Sequence, residues 1–230
     1  MATFFVESID DRSVYSYMPV MTLTDKAKAT RQNILDTGHA LVLRKGFSAL
    51  GLQEILKASG VPKGSFYHYF PSKEAFGCAL LEAYVESYAR KVEVLCAADA
   101  PDGRARLMRY WRAWLDGGDG AVDGHGWAED CLAVKLSAEV ADFSEDMRRI
   151  LSDGIARLLE TIAALITEAR TDGSLPPGAP PQALAQVLYQ MWLGAALLAK
   201  LNRNRTPMDQ ALIATEQLLT CGTPPPDTGT

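Results

Sequence analysis

The chain has 230 residues, 48% of them hydrophobic and 22% charged, which excludes a disordered polymer and leaves room for one large domain or two smaller ones. Its four cysteines are widely spaced with no CxxC pattern, and no apolar run reaches the roughly 20 uninterrupted residues of a membrane span, so neither a disulfide frame, a zinc site nor a bilayer segment is expected. The net charge of −5 argues against nucleic acid only as an average: residues 22–77 carry eight Lys/Arg against four acids, whereas residues 1–21 sum to −2 and residues 78–230 to −7.

Residues 1–20 lack the basic start and apolar run of a secretory signal, and a disordered extension over 1–21 of a cytoplasmic protein is expected. From there apolar residues recur at helical spacing and no alternating stretch is long enough for a strand, which predicts an all-α fold of about nine helices. The first runs from about Asp25 to Arg44 and stops at Gly46, and a short second covers about Leu50 to Ala58. Ser59-Gly60-Val61 then forms a tight turn, Pro62 takes the first position of a third helix, and Pro71 ends it after barely two turns. This is helix-turn-helix spacing, with a head over 22–71 and a helical body over 72–220.

Ser72 caps a long fourth helix with Phe76, Leu80, Tyr84 and Tyr88 every four residues, on which Cys78 and Cys96 read as packing. Loops at 99–103 and 116–126 flank a helix holding Trp111 and Trp114, another begins near Glu129, and Ser144 opens a long one that stops at Gly173. From Pro181 to Leu201 the sequence turns apolar on every side, and the last helix carries Met208, Ala211, Leu212, Thr215, Leu218 and Leu219 as a seam; together they predict a homodimer interface over about 181–220. Cys221 and the prolines after it read as a flexible tail, 221–230.

On the third helix, Lys63, Gly64, Tyr67 and His68 share one face, while Phe66, Tyr69 and Phe70 share the other. Lys, a Gly that lets the backbone approach, Ser65, Tyr67 and His68 suit phosphates and base edges of double-stranded DNA, with Lys73, Arg31 and Lys28 as further cations; an ordinary solvated hairpin explains the same spacing. The segment GFSALGLQEILKASGVPKGSFYHYFPSKEAFG, Gly46 to Gly77, resembles the helix-turn-helix signature of TetR-family repressors. That resemblance implies a homodimer reading a palindromic operator, with Pro62–Phe70 in the major groove and Lys73 on the backbone.

The segments Cys131-Leu-Ala-Val-Lys-Leu-Ser-Ala-Glu-Val and Trp192 to Lys200 resemble the NemR-like branch of that family. The resemblance implies that Cys131 responds to reactive electrophiles or oxidants and that Lys200 is linked to it. A place in the first turn of a helix favours a thiolate at Cys131, whereas Glu129 and Asp130 oppose it, and Asp130 stands where that branch commonly has Gly. Trp192 and Lys200 lie two turns apart on one stripe, and with Trp111 they are expected to border a sensor pocket for a small-molecule inducer. Two other readings stay open: a noncovalent hydrophobic-ligand pocket with Cys131 as packing, and a cysteine enzyme with His125 as base. No cofactor motif is present, and no metal or cofactor is expected.

Overall fold

A computed structural model describes residues 24–117 and 126–220, and among them lie nine α-helices and no strand. The predicted extension, the tail with Cys221, most of the 116–126 loop and His125 lie outside the described residues. The helices are α1 (Asp25–Lys45), α2 (Leu52–Ser59), α3 (Lys63–Tyr69), α4 (Lys73–Ala97), α5 (Gly103–Asp116), α6 (Leu132–Phe143), α7 (Glu145–Thr171), α8 (Pro181–Asn202) and α9 (Thr206–Thr220).

Local chemistry sets most of the ends. Ser72 accepts from the Ala75 amide at 2.9 Å, Asp102 from Ala105 at 2.7 Å and Ser144 from Met147 at 3.3 Å, each satisfying an amide that its helix leaves without a partner. Gly60 closes α2 at φ 68, a left-handed conformation that costs glycine nothing. Two starts differ from the sequence reading. Pro62 is the N-cap of α3 rather than its first residue, because its ψ of 148 is extended. Cys131 likewise caps α6 instead of lying in its first turn: Trp127–Asp130 form a turn, with the Glu129 amide bonded to the Gly126 carbonyl, so the helix begins only at Leu132.

α3 has only seven residues, too few to persist alone, and is held by its aromatic side. Phe66 and Phe70 are buried and meet Phe76 of α4 at ring distances of 5.6 and 5.3 Å. α4 also packs on α1, α5 and α7, so it ties the short helices to the body. In the body, α7 lies against α4, α5, α6 and α8, and α8 lies against α9.

Most of the stripe on α9 faces its own α8, with Leu218 left outside. Met208, Ala211, Thr215 and Leu219 are buried, and Thr215 accepts from the Trp192 indole at 2.8 Å. Replacing Thr215 with Val should leave that indole N–H buried without a partner and lower stability by about 1–3 kcal/mol, read as a lower urea midpoint at unchanged m. On these two helices the large apolar side chains left exposed are Val187, Leu197, Leu198 and Leu201 of α8 and Ile213 and Leu218 of α9. By length and mean composition α8 is apolar enough to cross a membrane, although Gln186, Gln190, Gly194 and Lys200 interrupt the run, in line with the sequence reading. Ala185, Leu188, Tyr189, Trp192, Ala195 and Ala196 are nevertheless buried inside the bundle, as a core helix requires.

Candidate functional site

With Phe66 and Phe70 committed to the core, helical geometry turns the opposite side of α3 outward. Lys63, Gly64 and His68 are exposed, Tyr67 is 43% exposed and Ser65 is half-buried. The Lys63 ammonium lies 5.9 Å from the Tyr67 ring centre, so a cation and an aromatic hydroxyl stand together on that face. A Cβ added to Gly64 would meet nothing within 4 Å, hence the fold itself does not require glycine there. Arg31 of α1 is half-buried, with its guanidinium 5.3 Å from the Phe70 ring centre at the end of α3. Lys73 is drawn inward: its ammonium donates to the Ser48 carbonyl at 3.2 Å and lies 4.9 Å from the Phe47 ring centre. Partial burial pushes its pKa down, opposed by the Glu139 carboxylate.

The second site lies inside the body. A cavity of about 160 Å³ is walled by Tyr84 and Tyr88 of α4, Trp114 of α5, Cys131, Leu158 of α7 and Tyr189 of α8. A cavity of about 150 Å³ accepts benzene, so this one suits a compact molecule of few heavy atoms. Cys131 is buried at 3% exposure, and its sulfur does not cap α6 but accepts from the Tyr84 hydroxyl at 3.5 Å. The Tyr88 hydroxyl lies 3.2 Å from that of Tyr110 and accepts from the Trp114 indole at 3.1 Å. Burial drives the Tyr84, Tyr88, Tyr110 and Tyr189 phenols up. They keep their protons at neutral pH, and Tyr84 faces the sulfur as a donor.

Lys200 reaches the same turn from the far side, its ammonium donating to the Glu129 carbonyl at 3.0 Å. Partial burial, helped by the Lys135 charge, holds its pKa below the usual lysine value against the opposing pull of Cys131, Asp130 and Glu129. Trp111 and Trp192 stack at 5.1 Å and 20° in the interior and are fully buried. Neither lines the cavity; the tryptophan on its wall is Trp114. A larger recess of about 750 Å³ opens between α1 and α4, lined by His39, Lys91 and Asp130 among others, and shares Tyr84 and Tyr88 with the cavity.

Of these four phenols the sequence reading singled out Tyr84 and Tyr88 alone, as members of the α4 stripe. Their signal was the Tyr84–Tyr88 pair at i, i+4, since a tyrosine on a buried stripe brings a hydroxyl that needs a partner where leucine brings none. Glu139 was named only as part of a longer segment, yet its carboxylate accepts from the Phe47 amide at 3.1 Å and from the Ser48 amide.

Residues 34–79 match the family model described as bacterial regulatory proteins, tetR family, and residues 103–215 the one described as Tetracyclin repressor-like, C-terminal domain. The chain is 40% identical over 190 residues to the HTH-type transcriptional repressor NemR of Escherichia coli, covering 83% of this chain and 94% of that one. It is 35% identical over 182 residues to the transcriptional regulator AcuR of Cereibacter sphaeroides, covering 79% and 81%. The crystal structure of reduced E. coli NemR superposes with a TM-score of 0.75 at 39% identity, covering 84% of this chain and 99% of that one.

Proposed function

From the premise that this chain belongs to the TetR family of bacterial transcriptional regulators, we propose that it is a homodimeric repressor which binds a palindromic operator and is released by a small electrophile or oxidant reacting at Cys131. Residues 22–71 form the DNA head and residues 72–220 the sensing and dimerising body. The observation that carries the DNA reading is the outer face of α3, where Lys63, Gly64, Tyr67 and His68 stand free of the fold while Phe66 and Phe70 fix the helix from behind. Lys63 and Arg31 supply cations for phosphates, and Ser65, Tyr67 and His68 supply hydrogen-bonding groups for base edges. Two heads related by the dimer axis read half-sites about 34–36 Å apart or a multiple of that.

Gly64→Ala separates this role from folding. Alanine in the first turn of α3 has open space and a better helix propensity, so stability should rise by about 0.5 kcal/mol. On DNA the new methyl stands where the backbone must approach, and affinity for a duplex selected from a random pool should fall at least about tenfold. Chemical denaturation and a fluorescence titration read the two effects, and unchanged DNA affinity would remove α3 as the reading helix.

The sensing half rests on Cys131 at the wall of a small cavity, with the Tyr84 hydroxyl on its sulfur and Lys200 at its turn. A molecule that enters the cavity meets the thiol, which attacks it as the thiolate. An adduct then occupies volume the helices need, and an arrangement with differently spaced heads becomes the favoured one.

A further inference from the structure

Gly46 ends α1 at φ 85, and the next two amides, Phe47 and Ser48, emerge from the helix side by side. Successive amides of this kind make a concavity for an anion. The anion here is Glu139 of α6, 91 and 92 residues away in sequence: one carboxylate oxygen takes the Phe47 amide at 3.1 Å and the other the Ser48 amide. Phe47 is itself buried and meets Phe143, at the end of α6, edge-on at 5.4 Å. Lys73 holds the same turn from α4, through the Ser48 carbonyl and across the Phe47 ring. Partial burial works against the charge on Glu139, but the Ser48 and Phe47 hydrogen bonds and the Lys73 ammonium outweigh it and hold the carboxyl below its usual value. Bonds of an ionised acceptor are about twice as strong as neutral ones, so this is a firm attachment.

The other end of α6 is pinned in the cavity. Cys131 is its cap, and the Glu129 carbonyl just before it receives Lys200. Glu139 is eight residues beyond Cys131, about 12 Å along a helix rising 1.5 Å per residue. We propose that Glu139 is the positioning residue by which the body grips the DNA head, closing on the Phe47–Ser48 amides about two turns along a rod whose near end is the Cys131 cap. A displacement of α6 that starts in the cavity then loosens the turn after α1, and α2 and α3 follow that turn. The proposal rests on the reading of α1–α3 as the DNA head and of the Cys131 cavity as the sensor.

The test compares the full chain with Glu139→Gln and Glu139→Ala, all with Cys78, Cys96 and Cys221 replaced by Ser. Amide hydrogen exchange at Phe47 and Ser48, referred to core amides of α7, should rise at least about tenfold in the Ala variant and less in the Gln variant, which keeps one carbonyl acceptor. Affinity for the selected duplex should fall about tenfold with no change in the slope against salt, because no phosphate contact is removed. Alkylation with iodoacetamide should then shift the Ala variant's affinity by less than about twofold, against at least about tenfold for the parent. Unchanged exchange at the two amides, or release of the Ala variant by the parent's factor, would overturn the grip. If the parent selects no duplex at all, the repressor reading fails instead, and the exchange measurement alone still decides for or against Glu139.

Discussion

Leu198→Glu is expected to turn the dimer into a folded monomer and to abolish operator binding at concentrations where the parent is saturated. Val187, Met191, Gly194, Leu198 and Leu201 recur on α8 at spacings of four, three, four and three, the pattern of a helix seam that meets another helix. Val187 is 52%, Leu198 49% and Leu201 75% exposed, and a Cβ on Gly194 would meet nothing within 4 Å, so among the described residues most of this ridge is left uncovered, with Met191 alone packed against the core. Covering the open half of a leucine is worth about 1 kcal/mol, and in a two-fold interface each substitution counts twice. Each glutamate adds an unpaired carboxylate, at about 1–3 kcal/mol apiece. The sum weakens association at least a hundredfold, at about 1.4 kcal/mol per factor of ten. A lone head then loses the second half-site, which a dimer binds at an effective concentration in the millimolar range. Sedimentation and circular dichroism read the two parts. A variant that stays dimeric would place the interface elsewhere.

Cys131→Ser should bind the selected duplex like the parent and lose its response to iodoacetamide or hypochlorite completely. Serine keeps the size of the site and can still accept from Tyr84, but a hydroxyl buried among phenols is no nucleophile at neutral pH. The other two described thiols are poor substitutes: burial first, then Asp146, Glu74 and Glu82, push the Cys78 thiol up, and burial does the same at Cys96. In the parent, release should quicken as pH rises, since only the thiolate attacks. Mass spectrometry of the labelled protein locates the adduct and a DNA titration measures the release. Equal release of Cys131→Ser and parent by the same compound would reduce Cys131 to packing. It would leave a noncovalent site walled by Tyr84, Tyr88, Trp114 and Tyr189.

The helices, the short α3 between its two prolines and the sidedness of its face could all be read along the chain, because they rest on signals a few residues long. Period, cap chemistry and proline's fixed φ act locally, and the basic stretch over 22–77 needed only counting. The same kind of signal misplaced the start of α6. Nothing local tells a helix beginning at Glu129 from one beginning at Leu132, and the bonded turn over Trp127–Asp130 decides it. A stripe also says which residues share a face and leaves open what the face meets. Most of the α9 stripe turned inward, with Thr215 on Trp192; Trp111 and Trp192 stacked in the interior rather than on the cavity wall, and Tyr84 and Tyr88 supplied that wall. Glu139 is the extreme case, since its partners lie more than 90 residues away and a carboxylate on a helix carries no mark of a distant pair of amides. Such contacts form only when separate helices pack, because burial selects the partner by shape and charge in three dimensions and not by distance along the chain.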